Sequence, residues 1–446
     1  MRDLTQGSVS RLLISMSLPT MAGMLFQTLY VLVDLYFVAH LGNAAIAGVG
    51  AASTLMLVVV AVSQSLSVGT VALISRAVGA RQQAEANLYF NQSLVMALLL
   101  MVVSLVLLHP LAPFFAAAVS ADAETRSLGT AYLHAFIPSL ALQFPLMALG
   151  SALRGTGIVK PGMVVQILTV VLNIILAPVL IRGWGTGMPL GVVGAGLAST
   201  LAMAVGVVLL WIYFHRLEHY VAVDRGLMRP QFSIWWRILS IGLPAGGEFV
   251  VMFLIWTCNY WVLRGFGAVA QAGFGVGQRV FQSLFLPTMA IAFAVSPMVG
   301  QNYGARRYDR IREVFRAALR VSFVAVAVVL VITQVFAPQM VAGFSSDPAA
   351  NAVGVEYLRY TSWVLMFGAV TSVSNGVLQG TGNTWPGLLC SASRVLVFIL
   401  PVIWLSSLPG FTTRTVWIVT VLSSVVNAVL IALFARRWFR RHPVVS

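Results

Sequence analysis

Two carboxylates in this chain sit where a charge is expensive. Asp34, in "LYVLVDLYFVAHLG", and Glu248, in "LPAGGEFVVMFLIW", interrupt long apolar runs, whereas the other ten of the twelve Asp and Glu residues lie in tails, loops or the ends of runs. A charged side chain at the middle of a bilayer costs about 2.5 to 3.5 kcal/mol even on the lenient insertion scale, so a group kept there is expected to face protein or water and to have a function. A carboxylate that meets one side of the membrane and then the other can exchange a proton or a monovalent cation. The competing reading is a neutral, protonated acid that only bonds one helix to another.

Helical spacing gives both acids company. Gln27, Tyr30 and Asp34 follow i, i+3, i+7; Glu248, Met252 and Asn259 follow i, i+4, i+11; and Gln166, Thr169 and Asn173 repeat the first pattern. Three polar stripes of this kind are expected to line a wet cavity. No other engine is encoded. The single lysine, Lys160, follows Val159, so the GK pair of a phosphate cradle is missing, and neither H-E-x-x-H nor G-x-S-x-G occurs. Cys258 and Cys390 fall inside apolar runs without metal-ligand spacing and read as packing residues. Neither an enzyme nor a cofactor is expected, which leaves an ion gradient as the source of energy.

The elements that must position these residues are membrane helices. The 446 residues are 59% hydrophobic and 9% charged, with a mean hydropathy of +0.92, far from the balance of a soluble domain. Twelve apolar runs, near 11–40, 46–75, 88–112, 126–152, 160–182, 190–215, 235–264, 270–300, 313–337, 352–378, 385–407 and 413–436, are each long enough to cross a core of about 30 Å. The first lacks a cleavable-signal pattern and is expected to remain.

Charge orients the chain. Arg126, Arg182, Arg264, Arg359 and Arg414 fall on one side and Arg279 and Arg394 within spans, leaving 20 of the 27 Lys and Arg on the side of the termini, which are therefore expected in the cytoplasm. The net charge of +15 reports this topology, and no soluble basic domain exists to bind nucleic acid. The dense run "GARRYDRIREVFRAALR" reads first as a topological anchor, with contact to anionic headgroups as the alternative.

An offset of 225 residues relates the two halves. "LRGTGIVKPG" from Leu153 matches "LQGTGNTWPG" from Leu378, "GAR" at Gly79 matches "GAR" at Gly304, and Leu18-Pro19, Gly42, Pro113, Asp122 and Tyr132 fall on Leu243-Pro244, Gly267, Pro338, Asp347 and Tyr357. Chance likeness of apolar helices would not keep turn-forming Gly and Pro in register. The expectation is an all-α polytopic membrane protein, with six-helix lobes at 1–220 and 235–446 joined by a cytoplasmic linker at 221–234. An even number of spans per copy relates the lobes by a pseudo-two-fold along the membrane normal.

The motifs "SLPTMAGMLFQTLYVLVDLYFVAHLG", "LRGTGIVKPG", "GVVGAGLAST", "AVSPMVGQNYGARR" and "LQGTGNTWPG" together resemble a bacterial member of the multidrug and toxic compound extrusion (MATE) family, over essentially the whole chain. The resemblance implies a V-shaped pair of lobes in the bacterial inner membrane. It implies an antiporter that exports lipophilic, often cationic, small organic compounds in exchange for H⁺ or Na⁺ by alternating access. The family's cation site maps onto Asp34, Asn173, Ala195 through its carbonyl, and Ser199, with Na⁺ held by Asp34, Asn173 and Ser199 if sodium is the coupling ion. Many members carry a second acid where this chain has Ala177, which favours protons. Gln27, Tyr30, Glu248, Met252, Asn259, Gln282 and Asn375 are expected in the substrate cavity. The partners expected are substrate and membrane lipid, with the chain a monomer. The alternative within the same superfamily is a flippase for a lipid-linked precursor; a third reading, a channel or structural membrane protein, would need no coupling acid.

Overall fold

The computed structural model describes residues 1–443 apart from 40, 121, 186 and 219, and leaves aside the side chains at 31, 32, 34, 35, 39, 43, 44, 46–48, 50–54 and 119. Among the described residues the fold is all helix. The elements are α1 (Val9–Ala39), α2 (Asn43–Gly79), α3 (Gln83–Val119), α4 (Ala123–Gly155), α5 (Lys160–Arg182), α6 (Gly191–Arg216), α7 (Phe232–Leu263), α8 (Ala268–Gly304), α9 (Tyr308–Ala342), α10 (Pro348–Gly380), α11 (Trp385–Ser406) and α12 (Thr413–Arg441). All twelve are long and apolar enough to cross a membrane, as the sequence led us to expect. Several outrun the apolar stretches that revealed them. α3 starts at Gln83 and α9 at Tyr308, because their polar first turns are rich in Ala, Glu and Arg, which favour helix in water as well as in lipid.

The internal repeat is written into the helix ends. After α2 and α8 the chain turns through Arg81 (φ 59°) and Arg306 (φ 57°), and the same bond across the turn recurs: Gln82 N to Ala77 O at 2.9 Å, Arg307 N to Asn302 O at 2.8 Å. After α4 and α10 the turn passes through Gly157 (φ 80°) and Gly382 (φ 68°), with Ile158 N to Leu153 O and Asn383 N to Leu378 O both at 2.8 Å. Both are left-handed terminations that satisfy the last helical carbonyls. Asp122 and Asp347 cap α4 and α10, accepting from Thr125 N at 2.7 Å and Ala349 N at 2.9 Å; the Thr125 backbone N–H holds the Asp122 carboxyl below its usual range.

Two compact units result. The first comprises Met1–Asp3 and Ala22–Gly246, the second Leu4–Met21 and Gly247–Ser446, so the borders cross α1 shortly after Pro19 and α7 shortly after Pro244, mates in the repeat. The segment at 221–234, expected as a linker, folds as a strap on the first unit. Three amides of α3 hold it. Asn87 Oδ1 accepts from Ala222 N at 2.8 Å, Asn91 bonds Ala222 O and Asp224 N at 2.9 Å, and Gln92 makes four bonds, donating to Leu227 O and Arg229 O and accepting from Gln231 N and Trp235 Nε1.

Glycine sets how closely helices approach in each unit. In the first, Gly242 and Gly246 of α7 lie against Ala61 and Ser65 of α2, where any Cβ would overlap the Ser65 carbonyl or hydroxyl. In the second, Gly273 of α8 faces the Ala350 carbonyl, and Gly380 of α10 faces the Ser296 carbonyl, each leaving only 2.5 Å for a Cβ. Small residues four apart are how membrane helices gain contact without a hydrophobic force between them. Gly242→Val is therefore expected to destabilise the protein by about 1 to 3 kcal/mol or prevent its folding. Gly265→Ala, with nothing within 4 Å of the added carbon, is expected to leave thermal unfolding in detergent unchanged.

Candidate functional site

The polar groups of the first unit converge from α1, α5 and α6. Ser199 Oγ lies 3.3 Å from the Ala195 carbonyl one turn back, shares a hydrogen bond with the Tyr30 hydroxyl at 2.7 Å and accepts from Asn173 Nδ2 at 3.3 Å. A hydroxyl has one proton and two lone pairs, so the three contacts at Ser199 Oγ use its full bonding capacity, and either hydroxyl of the Tyr30–Ser199 pair can be the donor. Asn173 is completely buried, and among the described residues its Oδ1 has no hydrogen-bond partner. Two turns nearer the start of α5, Gln166 Nε2 donates to Gln27 Oε1 of α1, and Thr169 returns its hydroxyl to the Gln166 carbonyl at 2.8 Å. Asp34 belongs to α1, four residues after Tyr30; its side chain lies outside the described residues.

The second unit holds a separate constellation. Asn375 Nδ2 of α10 donates to Glu248 Oε2 of α7 at 2.8 Å, while Glu248 Oε1 is buried with no hydrogen-bond partner. The start of α11 closes over the pair. A Cβ at Gly387 would stand 2.6 Å from Asn375 Oδ1 and would overlap Glu248 Oε1, so only glycine leaves room for the carboxylate.

The other residues expected in the cavity stand apart. Asn259 is buried and donates back to the Ile255 carbonyl at 2.8 Å, about 16 Å along α7 from Glu248. Met252 is 37% exposed and Gln282 is exposed, and no hydrogen bond ties Gln282 to the acid. Sequence reasoning missed two features. Gly387 was legible only as a turn former, although its repeat mate Gly162 in "KPG" has open space around it. The second is Arg154, at the end of α4, whose Nη2 reaches Ser67 Oγ at 2.8 Å and Ser151 Oγ at 2.9 Å; it was visible only as part of the repeated "LRGTG".

Comparison with known proteins agrees with the doubled architecture. The family model described as MatE matches the chain twice, over residues 19–179 and 244–405, beginning at the two prolines beside the unit borders. The chain belongs to the MatE family. Among MatE relatives, the probable multidrug resistance protein NorM of Thermotoga maritima is 29% identical over 399 residues, covering 87% of this chain and 84% of its own length. The multidrug export protein MepA of Staphylococcus saprophyticus is 26% identical, covering 92% and 90%. A solved multidrug resistance MATE transporter of the MOP superfamily, described as outward-facing, superposes with a TM-score of 0.92 at 25% identity, covering 99% of this chain and 98% of that one. A MOP superfamily transporter from Pyrococcus furiosus, described as having a binding pocket of reverse polarity, gives 0.91 at the same identity and coverage. The chain is thus a multi-pass member of a multidrug efflux transporter family.

In this MatE protein the Glu248 site generates a sharp test. Gly387→Ala is expected to push the Glu248 carboxylate off Asn375 and to reduce substrate efflux from cells at least fivefold, as is Glu248→Gln, while Gly162→Ala, at the uncrowded mate, is expected to leave efflux at the native level. Equal efflux by Gly387→Ala and the native protein would show that this packing does not matter to transport.

Proposed function

We propose that this protein is a secondary active antiporter of the bacterial inner membrane, with cytoplasmic termini, that exports lipophilic cationic compounds in exchange for protons. The observation that carries the reading is the first unit's buried cluster. It gathers Tyr30, Asn173, Ala195 and Ser199 on helices α1, α5 and α6 and leaves one amide oxygen, Asn173 Oδ1, open. The same α1 carries the one carboxylate of the first unit that interrupts an apolar run, Asp34, a turn beyond Tyr30. An open acceptor in a dry interior costs free energy unless a donor or cation visits it, and a carboxylate nearby supplies the exchangeable charge.

Protons suit this donor set better than sodium. Ser199 Oγ is already engaged by Tyr30 and Asn173, so coordinating an ion would cost it one of those contacts, and the position that carries a second acid in many relatives is Ala177, fully buried and apolar. One-to-one exchange of a monovalent cation for a proton moves no net charge, so the pH gradient drives it, and each pH unit, about 1.4 kcal/mol, supports roughly a tenfold gradient of the substrate.

Proteoliposomes holding a pH gradient test the reading. Adding ethidium is expected to release protons through the native protein with no requirement for Na⁺. Asp34→Asn is expected to abolish that release while still binding ethidium, and Asn173→Ala to slow it severalfold. Coupled release by Asp34→Asn would remove Asp34 from the mechanism, and release that needs Na⁺ would transfer the coupling to sodium.

A further inference from the structure

The repeat lets each surface of one unit be compared with its mate in the other, and one pair of surfaces differs in kind. On α3 the polar row is Asn87, Asn91 and Val95; on α9 the mates are Arg312, Arg316 and Arg320. Asn91 is completely buried under the strap, bonded to Ala222 and Asp224. Arg312 keeps a related role, donating to the Phe439 carbonyl at 2.8 Å and the His442 carbonyl at 3.3 Å at the end of α12. Beyond it the likeness stops. Arg316 and Arg320 are exposed, and among the described residues neither makes a hydrogen bond or an ion pair. Of the acids on this stretch, Glu313 pairs with Arg310 at 4.0 Å, and Asp309 lies about two turns before Arg316.

Their depth is informative. From Val321 to the end of α9 at Ala342 the helix runs about 33 Å, close to the thickness of the hydrocarbon core. Arg320 therefore lies at its edge and Arg316 about one turn outside, within a headgroup layer about 5 to 7 Å deep. Both also head a row. Val324, Val328, Val331 and Val335 continue the same face at helical spacing and are 67%, 55%, 63% and 59% exposed. In the first unit the mates Leu99, Val103 and Val106 are likewise exposed, but the head of that row is Asn91, closed by the strap. Two fixed cations one turn apart above an open aliphatic track match an amphiphile with a phosphate at one end.

We propose that this face of α9 is a binding site for one anionic phospholipid, its phosphate held between the Arg316 and Arg320 guanidinium groups and an acyl chain laid along the valine row. The proposal rests on the membrane reading above, and on the cytoplasmic termini only for the choice of leaflet. Retention of lipid is measured without transport, so failure of the antiport mechanism leaves it standing.

Native mass spectrometry of the full chain, released from detergent into which phosphatidylglycerol or phosphatidylcholine has been titrated, tests it. Phosphatidylglycerol is expected to stay bound at about tenfold lower concentration than phosphatidylcholine. The double variant Arg316→Asn and Arg320→Val, which installs the mate residues, is expected to erase that preference with thermal unfolding unchanged. Arg225→Gln with Arg229→Gln, on the strap, is expected to keep it. Equal retention of the two lipids overturns the proposal, as does equal loss in the strap variant, which would mean undirected attraction. Displacement of the lipid by an equal concentration of inorganic phosphate would assign the arginines to a free anion. A severalfold gain in lipid binding on removing residues 444–446 would assign them to the chain's own terminal carboxylate.

Discussion

Lipid tails are as apolar as leucine, so nothing presses these helices together except the quality of their contact. Everything else in the two units follows from how that contact is made. Gly242 and Gly246 let α7 touch the α2 backbone, and Gly273 and Gly380 do the same for α8 and α10. Closeness of this kind fixes side chains as well as backbones. Because α11 begins with Gly387 pressed on the Glu248 carboxylate, that acid has one place to stand, and Asn375 can be built to meet it. A looser bundle would leave the carboxylate free to turn towards lipid or water and would hold no site.

The same medium decides what polar residues do by default. Most hydroxyls in these helices spend their proton on a carbonyl three or four residues back, as Thr20, Thr28, Thr333 and Thr361 do. Such bonds are local and say nothing about function. Ser199 also lies within bonding distance of the Ala195 carbonyl, yet it is bonded to two groups from other helices, and that is what turns a helix-internal bond into a junction. Asn259 shows the opposite outcome: an amide at the position equivalent to Asp34 bonds its own helix, and among the described residues no side chain of another helix is hydrogen-bonded to it.

This contrast explains how much the sequence could show. Spans and repeat were legible because their carriers, Gly, Pro and Asp at helix ends, act through the local backbone, and local rules need no knowledge of the partner. Asn173 and Ser199 were paired through resemblance, whereas Tyr30 was expected in the substrate cavity, and only the fold bonds it to Ser199. The stripe of Glu248, Met252 and Asn259 is spread over about 16 Å of α7, because spacing reports the face of a helix and not the distance along it. The strap was hidden for a related reason. Asn87, Asn91 and Gln92 look like ordinary polar residues at a helix start, and only the fold brings segment 222–235 across them.

The repeat register also separates the two acids. Asp34 is the mate of Asn259, and Glu248 is the mate of Gly23, eleven residues earlier in the equivalent helix, so the acids occupy levels about 16 Å apart along matching elements. Asn375, which holds Glu248, is the mate of Gly150. Neither acid therefore has a carboxylate at its mate position in the other half, and neither can stand in for the other by symmetry. The duplication supplies closely packed helices and identical helix ends twice over. Each copy carries its own acid within an apolar helix, at a different position in the repeat register, so whatever one acid does is not duplicated by the other.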